Sequence, residues 1–329
     1  MKNQQILEDM RDLIKAYDQK VTELRNQQLE NAIYFSRDIY WKRNTLKRSS
    51  DELNGLTFAK TKGRAENLNE NKLHSFTKAF CARHLKSNAI CTWIPKIACS
   101  NLRYSIAVSN GLISGPSDIG WIHANNDSLG ASNSELLNAD YTFVILRNPF
   151  KKLLSYYLDK ICNYTINIEY DQSYDFANKL FNSEMNPSFN DFVNTLWERP
   201  DLLDQDIHTK KQCDFLIYKA YDDYFSIEAY EETIESIKNK TGLLIHDVRD
   251  INTIRTTKGL KESNDFAHTL NANEIRKLIQ EGKKPNPLQM YTPEMAKKTA
   301  ALYLPDILLY SSAVKNAGSE LRDWMEKIY

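Results

Sequence analysis

The chain has 329 residues, and its 43 basic and 43 acidic side chains cancel, which disfavours a protein steered globally to nucleic acid but leaves room for a local basic pocket. Apolar residues make up 42%, enough for a sizeable core, and the five cysteines (Cys81, Cys91, Cys99, Cys162, Cys213) lack CxxC spacing, so neither a disulfide framework nor a zinc site is indicated and no metal is expected. The N-terminus has no apolar signal core and no run reaches the roughly 18 apolar residues of a membrane span, so a cytoplasmic protein is expected.

Residues 3–46 keep a helical spacing of apolar positions from Ile6 to Leu24, uninterrupted by Gly or Pro. Such a helix either packs on its own domain or serves as a coiled coil or docking arm, which would make the chain a homo-oligomer. Residues 47–72 are polar and read as loop. A short helix is expected over Leu73–Leu85, then a buried strand over Ala89–Ile94. Pro95 stops that ladder because it has no N–H to donate. Helical spacing resumes over Asn101–Ser109. Gly111–Asn133, rich in Gly, Ser and Asn and holding Trp121 and His123, reads as a long surface loop of the kind that often carries function.

Tyr141–Leu146 is a second continuous apolar strand, ending at Arg147. Asn148 suits a helix N-cap and Pro149 a first helical residue, and the helix should run to about Cys162. Residues 163–187 are irregular. Ser188 followed by Asp191 predicts a capped helix over Ser188–Leu196. Residues 199–212 are a polar loop holding His208. Phe215–Tyr221 reads as a third strand and Ile227–Lys240 as an amphipathic helix stopped by Gly242. Further helices are expected near Asn273–Gln280, Pro293–Leu304 and Leu321–Ile328. Buried strands separated by helices give an α/β fold with a P-loop-like central parallel sheet flanked by helices and a helical N-terminal extension.

Two junctions carry chemistry. In Ile94-Pro95-Lys96-Ile97-Ala98-Cys99-Ser100-Asn101 a strand passes through a small-residue turn into a helix, aiming backbone N–H groups and a lysine at one point, where phosphate-like anions bind. The GxxxxGK[ST] pattern is absent, so an ordinary nucleotide-hydrolysing P-loop is not supported. Arg147 ends the second strand at the crevice position of open α/β sheets. Ser155 follows eight residues later, and an arginine with a hydroxyl can grip a further phosphate.

These two segments resemble the carbohydrate sulfotransferases of the chondroitin and HNK-1 type and their bacterial relatives. IPKIACSNLR is similar to that family's 5′-phosphosulfate loop, and LRNPFKKLLSYYLDK to its 3′-phosphate segment. PSFNDFVNTL, DIHTKKQCDFLIYKAYDDY and YTPEMAKKTAALYLPDILLY are weaker echoes, so the likeness spans about Ile90–Tyr310 and leaves out residues 1–72. The resemblance implies a transferase domain over 73–329, with 3′-phosphoadenosine-5′-phosphosulfate (PAPS) as donor and a saccharide hydroxyl as acceptor. It implies that Lys96 neutralises the leaving oxygen. Pro95 and the Ile97, Ala98, Cys99, Ser100 and Asn101 loop would hold the 5′-phosphate beside Arg103, and Arg147 with Ser155 the 3′-phosphate. It also implies a glycan, glycolipid or sugar-precursor acceptor, with peripheral contact to a membrane in the glycolipid case.

A base is still needed, and histidine suits neutral pH. His123 lies in the loop before Arg147, and His208 sits where the family has a histidine, although the tryptophan, arginine and proline that follow it there are here Thr209, Lys210 and Lys211. Both stay candidates, with Asp206 and Glu169 as fallbacks. Tyr164, Tyr170, Tyr174 and Trp197 are rings that either stack on a sugar or fill core. A nucleotide-dependent kinase and a non-catalytic adaptor assembling through residues 3–46 are the competing classes.

Overall fold

The computed structural model describes residues 55–58, 60–61, 64–65, 67–162, 186–248 and 259–328. The helix read over 3–46 and the residues Tyr164, Glu169, Tyr170 and Tyr174 lie outside them.

A four-stranded sheet forms the centre, with β1 (Cys81–His84), β2 (Ala89–Thr92), β3 (Tyr141–Leu146) and β4 (Asp223–Ser226) side by side in that order. β2, β3 and β4 run parallel, and β1 is an antiparallel edge. The sheet is therefore mostly parallel, and helices flank it. β3 explains itself chemically. Phe143, Val144, Ile145 and Leu146 are all at most 3% exposed, as a strand covered on both faces requires. Each such side chain contributes about 1.5–3 kcal/mol by leaving water.

The register brings three strand ends to one edge. Thr92 pairs with Val144, and Leu146 pairs with Ser226, so the chain leaves β2, β3 and β4 on the same side of the sheet. That carboxyl edge is where open α/β sheets bind ligands. From β2 the chain enters α2 (Cys99–Ser109), from β3 it enters α3 (Pro149–Tyr156), and from β4 it reaches α5 (Tyr230–Thr241) through a short 3₁₀ turn.

Several expectations are corrected. The helix read over Leu73–Leu85 is α1 (Lys72–Ala79), followed by β1. Cys81, Ala82 and His84 are buried there, and a four-residue buried edge strand has too short a pattern to separate from a helix end. The third strand is not Phe215–Tyr221 but β4. Phe215, Leu216, Ile217 and Tyr218 are indeed buried. Their backbone, however, pairs with an N-terminal strap: Thr57 N donates to Ile217 O at 2.9 Å and Lys219 N to Gly55 O at 3.0 Å. A continuous apolar run marks burial, not ladder membership. Gly111–Asn133 is not an open loop either. It folds into short turns, including Trp121–Ala124, and buries Ile113, Ile122 and Leu129.

Other elements match closely. α4 (Phe189–Glu198) starts at Ser188 with a full capping box to Asp191, and α5 ends at Gly242 with φ +74°, the left-handed stop that glycine adopts most easily. Beyond α6 (Ala272–Gln280), the helix read over Pro293–Leu304 divides at Tyr303 into α7 (Pro293–Leu302) and α8 (Leu304–Ala313), and α9 (Ala317–Ile328) closes the fold. Among the described residues, no helix is long and apolar enough to cross a membrane.

Candidate active site

The turn after β2 is held in an unusual backbone. Lys96 has φ +68° and Ala98 φ +47°, left-handed values that L-residues other than Gly, Asn and Asp rarely adopt and that cost about 1–2 kcal/mol each. Such outliers cluster at functional sites. Positive φ at Lys96 and Ala98 on either side of Ile97 is the kind of backbone from which anion-receiving concavities of N–H groups are built. Ile97 N is already donated to Ile94 O at 3.2 Å. Ala98 caps α2 without any side-chain bond, so the first N–H groups of α2 and the positive end of its dipole face outward from the turn.

The junction after β3 lies against this turn. Arg147 Nη1 donates to Lys96 O at 2.9 Å. The same guanidinium places Nε 3.8 Å from Glu228 Oε1, yet Nε is buried with no hydrogen-bond partner. Burial lowers the Arg147 pKa from its ordinary value, and the Glu228 carboxylate opposes that shift. Gln212 fixes the Arg147 backbone from both sides, accepting from its N–H and donating to its carbonyl, each at 2.8 Å. Asp306 in turn accepts from the N–H groups of Gln212 and Cys213. Asn148 caps α3 as expected, its side chain accepting from Phe150 N. Ser155 is half-buried on α3.

Lys96 Nζ donates to Asp159 Oδ2 at 2.8 Å. Asp159 reaches it from the wide π-helical turn Tyr157–Cys162 that continues α3, a distortion often found at functional sites. Glu228, just beyond β4, accepts from Ser226 Oγ, Asn148 N and Tyr310 OH. Lysine, arginine and glutamate thus come from beyond the ends of three neighbouring strands.

His208 joins this group from the loop after α4. Its Nδ1 lies 2.8 Å from Asp206 Oδ1, which also accepts from His208 N. Burial lowers the His208 pKa from the ordinary 6.5, the Asp206 carboxylate works against that, and the positive charges of Lys160 and Lys96 lower it further. Buried Lys152 holds the loop, donating to the carbonyls of His208 at 3.0 Å and Lys210 at 2.7 Å.

Other predicted residues have different surroundings. Arg103 is 5% exposed; it donates to Ile122 O at 3.0 Å and lies over the Trp93 ring at 4.3 Å, which makes it a brace between α2 and the following turns. Asn101 Nδ2 donates to Tyr230 OH at 2.7 Å, and its Oδ1 accepts from Val248 N, tying α2 to α5. Cys99 is half-buried. His123 is exposed on the turn Trp121–Ala124.

A family model described as "Sulfotransferase family" matches residues 84–311. The chain belongs to the sulfotransferase family. In the same comparisons no curated protein and no solved structure matched the chain. The sulfotransferase match opens in β1 and closes in α8, so it encloses Lys96, Arg147, Asp159, His208 and Glu228. It identifies an enzyme whose chemistry is sulfuryl transfer. The sequence alone does not single out Asp159, Glu228, Gln212 or Asp306. Gln212 lies within the recognisable HTKKQ stretch and Asp306 within PDILLY in α8, so a signal for those two existed. Asp159 lies within the quoted LRNPFKKLLSYYLDK segment, but its meeting with Lys96 depends on the wide turn; Glu228 carries no such signal, because its place comes from strand register.

Proposed function

We propose that this sulfotransferase moves the sulfuryl group of PAPS to a carbohydrate hydroxyl, with residues 73–329 as the transferase domain and 1–72 as an extension. The observation that carries the reading is the 2.9 Å bond from Arg147 to the Lys96 carbonyl. It makes one site of two anion-ready junctions, as a donor with two separated phosphate groups requires. The residues present fit such a molecule: Arg147 has a buried Nε that makes no hydrogen bond, α2 has no side-chain cap, and the turn between them is bent into the left-handed region.

PAPS supplies an activated sulfate whose bond to the phosphate oxygen is the one broken. Lys96 neutralises the charge that collects on that oxygen. The N–H groups of Ala98 to Asn101 and the Ser100 hydroxyl hold the 5′-phosphate, and Arg147 with Ser155 holds the 3′-phosphate. Arg103 and Asn101 side chains shape the loop from behind. His208, with Nδ1–H on Asp206, presents Nε2 as the basic nitrogen and takes the acceptor's proton as its oxygen bonds to sulfur. The electron pair of the broken S–O bond leaves on adenosine 3′,5′-bisphosphate. Alignment and charge stabilisation account for most of such a reaction. His208 is preferred to His123 because its ring carries an orienting carboxylate and is half-buried, whereas His123 is exposed. The carbohydrate class is supported by the motifs shared with carbohydrate sulfotransferases.

Calorimetry with adenosine 3′,5′-bisphosphate against 5′-AMP tests this. A charge-assisted grip on the 3′-phosphate is worth about 1.5–3 kcal/mol, so the bisphosphate should bind at least about tenfold tighter. Equal affinity, or no binding, overturns the reading.

A further inference from the structure

The ion pair between Lys96 and Asp159 has no part in the scheme above, yet it occupies the ammonium on which that scheme depends. The two side chains are 15% and 19% exposed, so water screens the pair only partly. Asp159 stands on the helical segment that also carries Ser155, four residues before it, and residues so spaced share a helix face. One segment therefore presents a hydroxyl for the 3′-phosphate and a carboxylate against the lysine of the 5′ end. An anionic donor entering this site meets a carboxylate that already holds its cation.

We propose that Asp159 is a positioning residue that competes with the donor for Lys96, so that the ammonium is surrendered fully only when the leaving oxygen gains charge. This rests on the reading that Lys96 serves the leaving oxygen. In the ground state that oxygen bridges phosphorus and sulfur and carries little charge, and Asp159 is the stronger acceptor. As the S–O bond breaks, its electron pair collects on that oxygen and the balance reverses. An interaction that strengthens toward the transition state raises kcat, whereas one made equally in the ground state only tightens binding. Asp159 thus keeps the lysine from being used up on binding, and it eases release of the bisphosphate afterwards.

Asp159→Asn tests this in the full chain, with adenosine 3′,5′-bisphosphate as the probe. The variant should bind the bisphosphate about fivefold tighter, as expected for loss of a partly buried competing charge, and should show a lower donor KM together with a lower kcat. A residue that only supports the fold would instead weaken binding when replaced. In a Lys96→Ala background the same substitution should have little effect. Unchanged or weaker binding in Asp159→Asn overturns the proposal. So does equal tightening with Lys96 absent, which would mean that Asp159 only repels the donor through space. Should the variant not fold, wild-type protein carrying isotope-labelled dimethyl-lysine gives the answer by NMR. The Lys96 signal, identified by its loss in Lys96→Ala, should move when bisphosphate binds, and a stationary signal overturns the proposal. Wild-type protein that fails to prefer the bisphosphate over 5′-AMP refutes the donor reading and this inference with it. A wild type that does prefer it, with Asp159→Asn unchanged, refutes this inference alone.

Discussion

His208 illustrates how environment decides what a residue can do. Burial holds its pKa below 6.5, with Lys96 and Lys160 adding to the effect against Asp206. A group shifted this way loses its proton earlier as pH rises, so it is neutral and able to accept a proton at pH 7. In the proposed role, the acid limb of kcat/KM for the donor, which reports the free enzyme, should have its midpoint below 6.5. His208→Gln should erase that limb and lower the rate about a hundredfold or more. A limb centred at or above 6.5 in the wild type, or one that persists in the variant, would assign the base elsewhere. Lys96 and Arg147 were legible in the sequence because each follows a buried strand and precedes a helix, a local pattern. Asp159 was not, because its meeting with Lys96 depends on a wide helical turn that the periodicity of LSYYLDKIC does not announce. Between His123 and His208 the sequence offered no choice, since burial and a partner carboxylate are tertiary facts.

Elements show the same division between local and distant causes. α4 begins where Ser188 and Asp191 say it should, since a capping box is complete within four residues. Ser188→Ala removes the hydroxyl that accepts from Asp191 N and should cost about 1 kcal/mol of stability, read as a lower denaturation midpoint with an unchanged slope. Donor affinity should not move, because α4 lies outside the anion turns; no loss of stability would mean that the cap contributes nothing. Phe215–Tyr221 shows the opposite case. Its apolar run is as continuous as that of β3, but the strap Gly55–Thr57 takes its backbone bonds, and that partner lies more than 150 residues away in sequence. β4 was hidden because Asp223, Tyr224 and Phe225 are only half-buried.

At the scale of the molecule, the C-terminal helices brace the site without entering the sheet. Phe150, at the start of α3, stacks on Trp324 of α9 with ring centroids 4.3 Å apart, and Tyr291 OH donates to Phe150 O at 2.9 Å. Asp306 of α8 fixes Gln212, and Gln212 fixes Arg147. The family match ends in α8, so the bracing belongs largely to the matched domain. Residues 1–83 stand outside that match, and the described part of that segment includes the strap Gly55–Thr57, which pairs with the core. A chain lacking residues 1–54 should therefore bind adenosine 3′,5′-bisphosphate with an affinity within about twofold of the full chain, measured by calorimetry. A large loss would place the extension within the donor site. Light scattering on the same two proteins would show whether the extension sets the oligomeric state.

The bond from Arg147 to residue 96 ends on a main-chain oxygen, which every amino acid possesses. In the proposed scheme grip and chemistry are therefore separable. The side chain proposed to drive bond cleavage can be exchanged while the arginine keeps its anchor on the main chain. Under the proposed reading, a form that holds nucleotide but cannot turn it over would serve as bait, retaining its natural acceptor long enough for that molecule to be fished out and named.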